Sequence, residues 1–377
     1  MNAVAAQRKP KLTLPSDILD AISSEHWWGP WFARGDWSAW GAFFAATFAL
    51  PLTADQLAIY QQCTGRTEPP TQQCSEAWAI CGRRGGKTRI MATVAAWLAC
   101  FSDLRSYLGP GEVATVMLIA ANRKQARTAM RYLRSLIVDH PVLARLVVKE
   151  TEEAIELSNR CAIEITTASF RTSRGYTIAA VICDELAFWI DDSDSANPAA
   201  EIIASLRPGM ATIPNSLLMT ATSPYARRGV VWDTYRKHWA KDGDSILIWQ
   251  APTRTMNNSV PQSVIDEAME RDPASASAEY MAEFRTDIET YINREVVEAA
   301  VTPGQYEIPP LPGIVYSSFT DPSGGSQDSF TLAIAHRTDD GRGILDCVRE
   351  RRPPFSPDAV VEEFAALLKR VMACMKS

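Results

Sequence analysis

The chain has 377 residues, 46% hydrophobic and 22% charged, with a formal net charge of -6. That length fits about two domains, and the apolar fraction suffices for packed cores, which excludes disorder, collagen and a disulfide scaffold. The acidic balance excludes a histone-like protein, so any nucleic-acid contact must come from a local basic patch.

The N-terminal stretch MNAVAAQRKPKLTLP is basic but has no apolar segment behind it, so no signal peptide is expected. Residues 1–50 crowd Trp27, Trp28, Trp31, Trp37 and Trp40 together. Two readings stand: a helical cap whose rings pack on the next domain, or a docking surface, since Trp is favoured at interface hot spots. The longest apolar run, Gly41 to Leu50, stops at Pro51 and is too short to cross a bilayer. All 8 cysteines are scattered singly, which points to reduced thiols in a cytosol and away from structural zinc. The reading is a soluble, intracellular protein without a membrane partner.

From Ala77 the pattern becomes strand, loop, helix, repeated over residues 51–255. AWAIC is a short apolar run leading into GRRGGK, and TRIMATVAAWLACF reads as a buried helix. VATVMLIAA is a second strand, followed by a helical stretch from Lys124 to about Val138. On that helix Arg127, Arg131 and Arg134 share a face, which is either solvated or a phosphate-contacting surface. Glu153 to Ile165 alternates like a hairpin around Ser158-Asn159. IAAVICDE, SLLMTAT and SILIWQA are further apolar runs of strand length. Such runs alternating with helical patterns imply an α/β fold with a largely parallel sheet covered on both faces. Residues 256–312 read as a polar helical bridge ending in the proline-rich linker EIPPLPG, and a fresh strand pattern marks a second domain over 313–377.

Gly85-Gly86-Lys87-Thr88 follows a strand and opens a helix, the context a P-loop needs. The glycines let backbone N–H groups turn inward around phosphate oxygens, and the helix N-terminus adds a favourable dipole. Lys87 would reach the β- and γ-phosphates of ATP and the Thr88 hydroxyl would ligate Mg²⁺. The usual first glycine is replaced by Cys81. Arg83 or Arg84 is placed to touch the γ-phosphate, with at least one of them otherwise facing solvent. Val181-Ile182-Cys183-Asp184-Glu185 supplies the other half of such a site: Asp184 for the Mg²⁺ and Glu185 for the attacking water. Separate carboxylates are needed because one group cannot both ligate the metal and accept the water's proton efficiently. Thr220-Ala221-Thr222-Ser223 ends a strand, either as an ordinary strand-to-loop transition or as hydroxyl groups that sense the γ-phosphate.

In this order and spacing these residues resemble the large terminase subunit of tailed phages, the motor that packages DNA into procapsids; relatives occur in phages, prophages and gene-transfer agents. LTADQ resembles the family's adenine-recognising motif, with Gln56 as base reader. GRRGGKT resembles its arginine-bearing Walker A, which implies that Arg83 senses ATP. SRGYTIAAVICDE, including Arg174-Gly175, resembles the approach to Walker B, and Thr220, Ala221 and Thr222 fall in its coupling motif. The resemblance implies a P-loop ATPase of the RecA-like, ASCE type followed by an RNase H-like nuclease. It also implies double-stranded DNA, a small terminase subunit and a portal protein as partners, assembly as a ring, and residence in the host cytoplasm. An arginine from a neighbouring subunit would complete each site. Asp321 in VYSSFTDPSGG fits the first metal-binding aspartate of the nuclease. The further strand and helices that carry the family's other acids are not found before Ser377. Two-metal cleavage needs several converging carboxylates, so no efficient nuclease is expected, Asp328 and Asp346 notwithstanding. The alternatives are an inactive prophage remnant that binds nucleotide, and a nucleic-acid helicase, which needs a second RecA-like lobe.

Overall fold

The computed structural model describes residues 13–168, 175–189, 198–285, 297, 299–325 and 328–375. Arg174 of the expected Walker B approach, like residues 1–12, lies outside them. Two compact units are present, Met1–Tyr291 and Ile292–Ser377.

The first unit is built on an eight-stranded sheet of order β3-β4-β5-β2-β6-β7-β1-β8. Its strands are β1 (Glu76–Cys81), β2 (Ala114–Ala120), β3 (Val147–Glu150), β4 (Ala154–Leu157), β5 (Cys161–Thr167), β6 (Thr177–Asp184), β7 (Leu217–Thr222) and β8 (Ile246–Ala251). From β5 to β8 all neighbours are parallel, whereas β3, β4 and β5 form an antiparallel meander. Every residue of β1, β2 and β7 is buried, as strands covered on both faces must be.

The helices are α1 (Ile18–Ser23), α2 (Gly29–Phe32), α3 (Ser38–Thr47), α4 (Ala54–Thr64), α5 (Lys87–Phe101), α6 (Arg123–Leu133), α7 (Pro198–Met210), α8 (Gly229–His238), α9 (Thr253–Met256), α10 (Gln262–Arg271) and α11 (Pro273–Met281). One core gathers Trp28, Trp40, Phe43, Ile90 and Val94 with Ala79 and Leu118 of the sheet. The other gathers Trp78, Ile119, Val181, Leu206 and Ile248. No helix among the described residues is long and apolar enough to cross a membrane.

The tryptophan cluster is packed rather than presented. Trp27, Trp28 and Trp40 are buried. The Trp28 indole donates to the Leu136 carbonyl at 3.0 Å and that of Trp31 to Ser135 Oγ at 2.5 Å. A buried indole needs such a partner for its N–H, and these rings find theirs inside the unit, so the docking-surface reading is set aside. The helical residues after 256, expected as a bridge, likewise belong to the first unit through α10 and α11.

The second unit holds β9 (Tyr316–Asp321), β10 (Phe330–Arg337) and β11 (Gly343–Arg351), antiparallel in the order β11-β10-β9, and a helix, Pro357–Met375. Phe330, Leu332, Ile334 and Cys347 pack with Val360, Phe364, Leu367 and Val371 of that helix.

Candidate functional site

In a parallel sheet the carboxyl ends of the strands share one edge, and here they bring the expected residues together. Cys81 ends β1 in register with Ala251 and is buried, so the strand simply continues where a P-loop usually has its first glycine. Gly82 is the position that tolerates no side chain: a Cβ there would lie 2.2 Å from Thr253 Oγ1 and 2.8 Å from the Tyr280 carbonyl. Beyond it, Arg84 (φ 62) and Gly86 (φ 89) take left-handed conformations on either side of Gly85. Alternating hands of this kind curl a loop into an anion-binding concavity, and α5 opens directly behind it at Lys87.

The outer wall of the loop comes from Trp40, expected only as a member of the tryptophan cluster, and from residues that the sequence does not single out. Trp40 Nε1 donates to the Gly85 carbonyl at 2.6 Å, Thr253 Oγ1 to that of Arg83 at 2.8 Å, and Asn257 Nδ2 to that of Arg84 at 2.8 Å. The Arg83 N–H in turn donates to the Glu279 carbonyl at 2.5 Å. Helices α9 and α11, and α3 through Trp40, therefore brace the loop from both sides. The close approach at Gly82 was the one local signal for this, and it needs the fold to be read.

Inside the loop, the buried Lys87 ammonium donates to the carbonyls of Cys81 (3.1 Å) and Gly82 (3.2 Å) and to Ser223 Oγ (2.9 Å). It also pairs with Glu185 Oε1 at 3.4 Å. Asp184 ends β6 opposite Ala120 and Ala221 and is fully buried. Its Oδ2 accepts from the Thr88 hydroxyl at 2.9 Å, while its Oδ1 is buried with no hydrogen-bond partner among the described residues. Burial, with the Glu185 carboxylate beside it, pushes the Asp184 carboxyl up to about 6. A buried orphan oxygen next to a serine- or threonine-type hydroxyl is the donor set a hard cation takes, so Asp184 and Thr88 fit Mg²⁺.

Glu185 stands in the left-handed region (φ 54) with its N–H on the Ala221 carbonyl at 2.7 Å. A non-glycine residue held there costs about 1–3 kcal/mol and persists only where its surroundings enforce it. Its Oε2 accepts from the Ser223 N–H at 3.1 Å.

The remaining expected site residues divide. Gln56 caps α4, its Oε1 accepting from the Thr53 N–H at 3.0 Å, and its amide nitrogen lies 3.5 Å from where a Cβ on Gly41 would stand. Gly41 adjoins Trp40, which bonds the loop, and Gln56 lines a cavity of ≈ 1380 Å³ with Trp37, Gly41 and Pro51. Trp37 also closes on Gly86 and covers the Arg89 guanidinium at 4.8 Å. Arg83 is exposed and paired with Glu279 at 3.4 Å. In the coupling segment Thr220 Oγ1 donates to the Cys183 carbonyl at 3.2 Å and Thr222 Oγ1 to that of Ser223 at 2.9 Å. Along α6, Arg127 and Arg131 are exposed, and so is Arg134, which opens the π-helical turn that carries the helix on to Val138 and pairs with Glu150 at 2.5 Å.

The family model described as "Terminase large subunit, T4likevirus-type, N-terminal" matches residues 79–293, more than half of the chain. The chain belongs to this terminase family. Among solved structures, the HK97 bacteriophage large terminase is similar at 17% identity and a TM-score of 0.50, over 78% of this chain and 62% of that one. The chain thus spans less than two thirds of the HK97 protein's length, and the likeness speaks for a shared fold. The Thermus phage P74-26 large terminase ATPase domain matches at 15% identity and a TM-score of 0.42, over 64% of this chain and 97% of that one. A search of curated proteins found no match. The terminase model begins inside β1 and runs past α11, so it takes in the loop, Asp184, Glu185 and the bracing helices α9 and α11, but not α3.

Asp321 has no comparable setting. It ends β9 exposed, opposite Thr331. Asp346 is buried and bonds His336 Nδ1 at 2.8 Å. It follows Leu345, which pairs with Ala335, four residues and about 13 Å along β10 from Thr331. Among the described residues no group of three or more His, Cys, Asp or Glu is gathered to hold a metal. Asp321 and Asp346 therefore do not fit a shared ion.

Proposed function

We propose that this terminase-family chain is an ATP-hydrolysing motor subunit that drives viral DNA into procapsids. The observation that carries the reading is the convergence of Lys87, Thr88, Asp184 and Glu185 at one sheet edge, behind a loop curled for phosphate. In this reading Lys87 neutralises the β- and γ-phosphates, and Arg83 leaves Glu279 to meet the γ-phosphate. Gln56 and Trp37 face the base. Glu185, fixed by the Ser223 N–H, accepts the proton of the attacking water. Thr88 and Asp184 hold Mg²⁺, which when bound supplies charge neutralisation for the phosphates. Double-stranded DNA, a small terminase subunit, a portal protein and a ring of like subunits belong to the same proposal, as does an arginine from a neighbouring subunit, an element worth about 10³–10⁵ in rate where it acts.

The deciding experiment is phosphate release from MgATP by the full chain, with and without duplex DNA. Turnover that DNA accelerates supports the motor. A chain that neither binds nor hydrolyses MgATP at any concentration up to millimolar overturns the reading.

A further inference from the structure

We infer that Ser223 is a positioning residue that ties Lys87 to Glu185, so that a triphosphate gains Lys87 only by displacing it from both. The inference rests on the nucleotide reading above and goes past it by naming which member of the Thr220–Ser223 segment reaches the chemistry.

The hydroxyl of Thr220 is committed to the Cys183 carbonyl and Ala221 has none. The Thr222 hydroxyl has one proton, and the Ser223 carbonyl at 2.9 Å takes it in preference to Glu185 Oε2 at 3.5 Å. Its lone pairs also receive the Ala187 N–H at 3.2 Å. Ser223 alone in the segment bonds the P-loop lysine, through its Oγ at 2.9 Å, and its N–H fixes the Glu185 carboxylate at 3.1 Å. It is only 2% exposed, so water does not readily replace either bond. One buried residue thus holds both the cation expected to grip phosphate and the carboxylate expected to take the water's proton.

Lys87 has three protons and four protein oxygens around it. Two are carbonyls of the strand end and the loop, Cys81 and Gly82, and the other two belong to Ser223 and Glu185. Hydrogen bonds to a charged group are worth more than neutral ones and are stronger away from water. A phosphate approaching Lys87 therefore competes with Ser223 and Glu185 directly, and removing a competitor tightens binding. Once Lys87 has moved, Glu185 loses its counter-charge and is freed for the water, so phosphate capture and base release become one event.

The test is titration of the full chain with magnesium and the non-hydrolysable triphosphate AMP-PNP, which reads affinity apart from turnover. Ser223→Ala should bind about three- to tenfold tighter than wild type. Ser223→Thr, which keeps the hydroxyl, should return to wild-type affinity. Glu185→Gln should also tighten binding, and the double variant should gain less than the product of the two, because both act on one ammonium. A merely structural lesion would weaken binding and would not be rescued by threonine. Should Ser223→Ala not fold, Ser223→Cys keeps the volume, weakens the acceptor and carries the same expectation. Unchanged or weaker binding by folded Ser223→Ala, or by Ser223→Cys in its place, overturns the inference while leaving the nucleotide reading standing. Failure of the wild type to bind AMP-PNP overturns both.

Discussion

The strand ending at Asp184 and the strand ending at Asp321 both close on an aspartate, yet they differ in every respect that matters to chemistry. Strand β6 lies between β2 and β7, and all but the first of its residues are buried. Strand β9 is an edge strand with one neighbour among the described residues, and all but its first residue are exposed. A carboxylate at the end of a central parallel strand is desolvated and meets groups from two neighbouring strands, so its environment sets its protonation and its partners. A carboxylate at the end of an edge strand keeps its water. The sheet position, not the residue type, turns an acid into a site.

The largest expected effect breaks the buried region. Glu185→Gln keeps the shape and removes the base, so ATP turnover should fall by about 10²–10⁴, read as phosphate release, while nucleotide binding survives. Turnover at the wild-type level would show that Glu185 is not the base. Next comes Gly82→Ala, which forces a methyl group onto Thr253 and the Tyr280 carbonyl. Overpacking of this kind costs about 1–3 kcal/mol, visible as a lower Tm and denaturant midpoint. An unshifted Tm would mean that α9 and α11 do not brace the loop as described.

A subtler expectation concerns pH. The Asp184 carboxyl is raised from its ordinary 3.8 to about 6 by burial. Between those values the folded chain holds a proton that the unfolded chain has released, so this group's stabilising contribution falls as pH rises through that window. Bound magnesium needs the deprotonated carboxylate. Stabilisation by magnesium and nucleotide should therefore appear as pH climbs past about 6, and Asp184→Asn should remove both trends. Melting curves across pH 4 to 8, with and without the cation, test this, and a magnesium effect equally strong at pH 4 would refute it.

The core sheet was legible because its strands are apolar runs of the right length, with glycines and acids at their ends. β1, β2, β6, β7 and β8 fall where AWAIC, VATVMLIAA, IAAVICDE, SLLMTAT and SILIWQA stand in the sequence. Lys87, Thr88, Asp184 and Glu185 were legible for the same reason, since a parallel sheet gathers strand ends at one edge. Thr253, Asn257 and Glu279 were not. They reach the loop from over 160 residues away through single side-chain or carbonyl bonds that leave no periodicity. The tryptophans between residues 27 and 40 were visible as a cluster, but their partners were not, because composition does not say which carbonyl an indole will find. Ser223 was seen only as part of a hydroxyl-rich strand end, and its rank over Thr220 and Thr222 depends on which way each side chain points.

The smallest expected effect sharpens the comparison from the exposed side. Asp321 ends an edge strand, is exposed, and stands opposite Thr331 with no ion pair among the described residues. Asp321→Ala should therefore change stability by no more than about 0.5 kcal/mol, where removing the buried Asp346 would leave His336 without its carboxylate and cost more. Amide exchange gives an independent reading of the same contrast. N–H groups of β9 should exchange faster than those of β6, since an edge strand opens without breaking a second ladder. Asp321→Ala lowering stability as much as Asp346→Ala would mean that the edge carboxylate is held by groups it does not touch here, and the distinction between the two strand ends would fail.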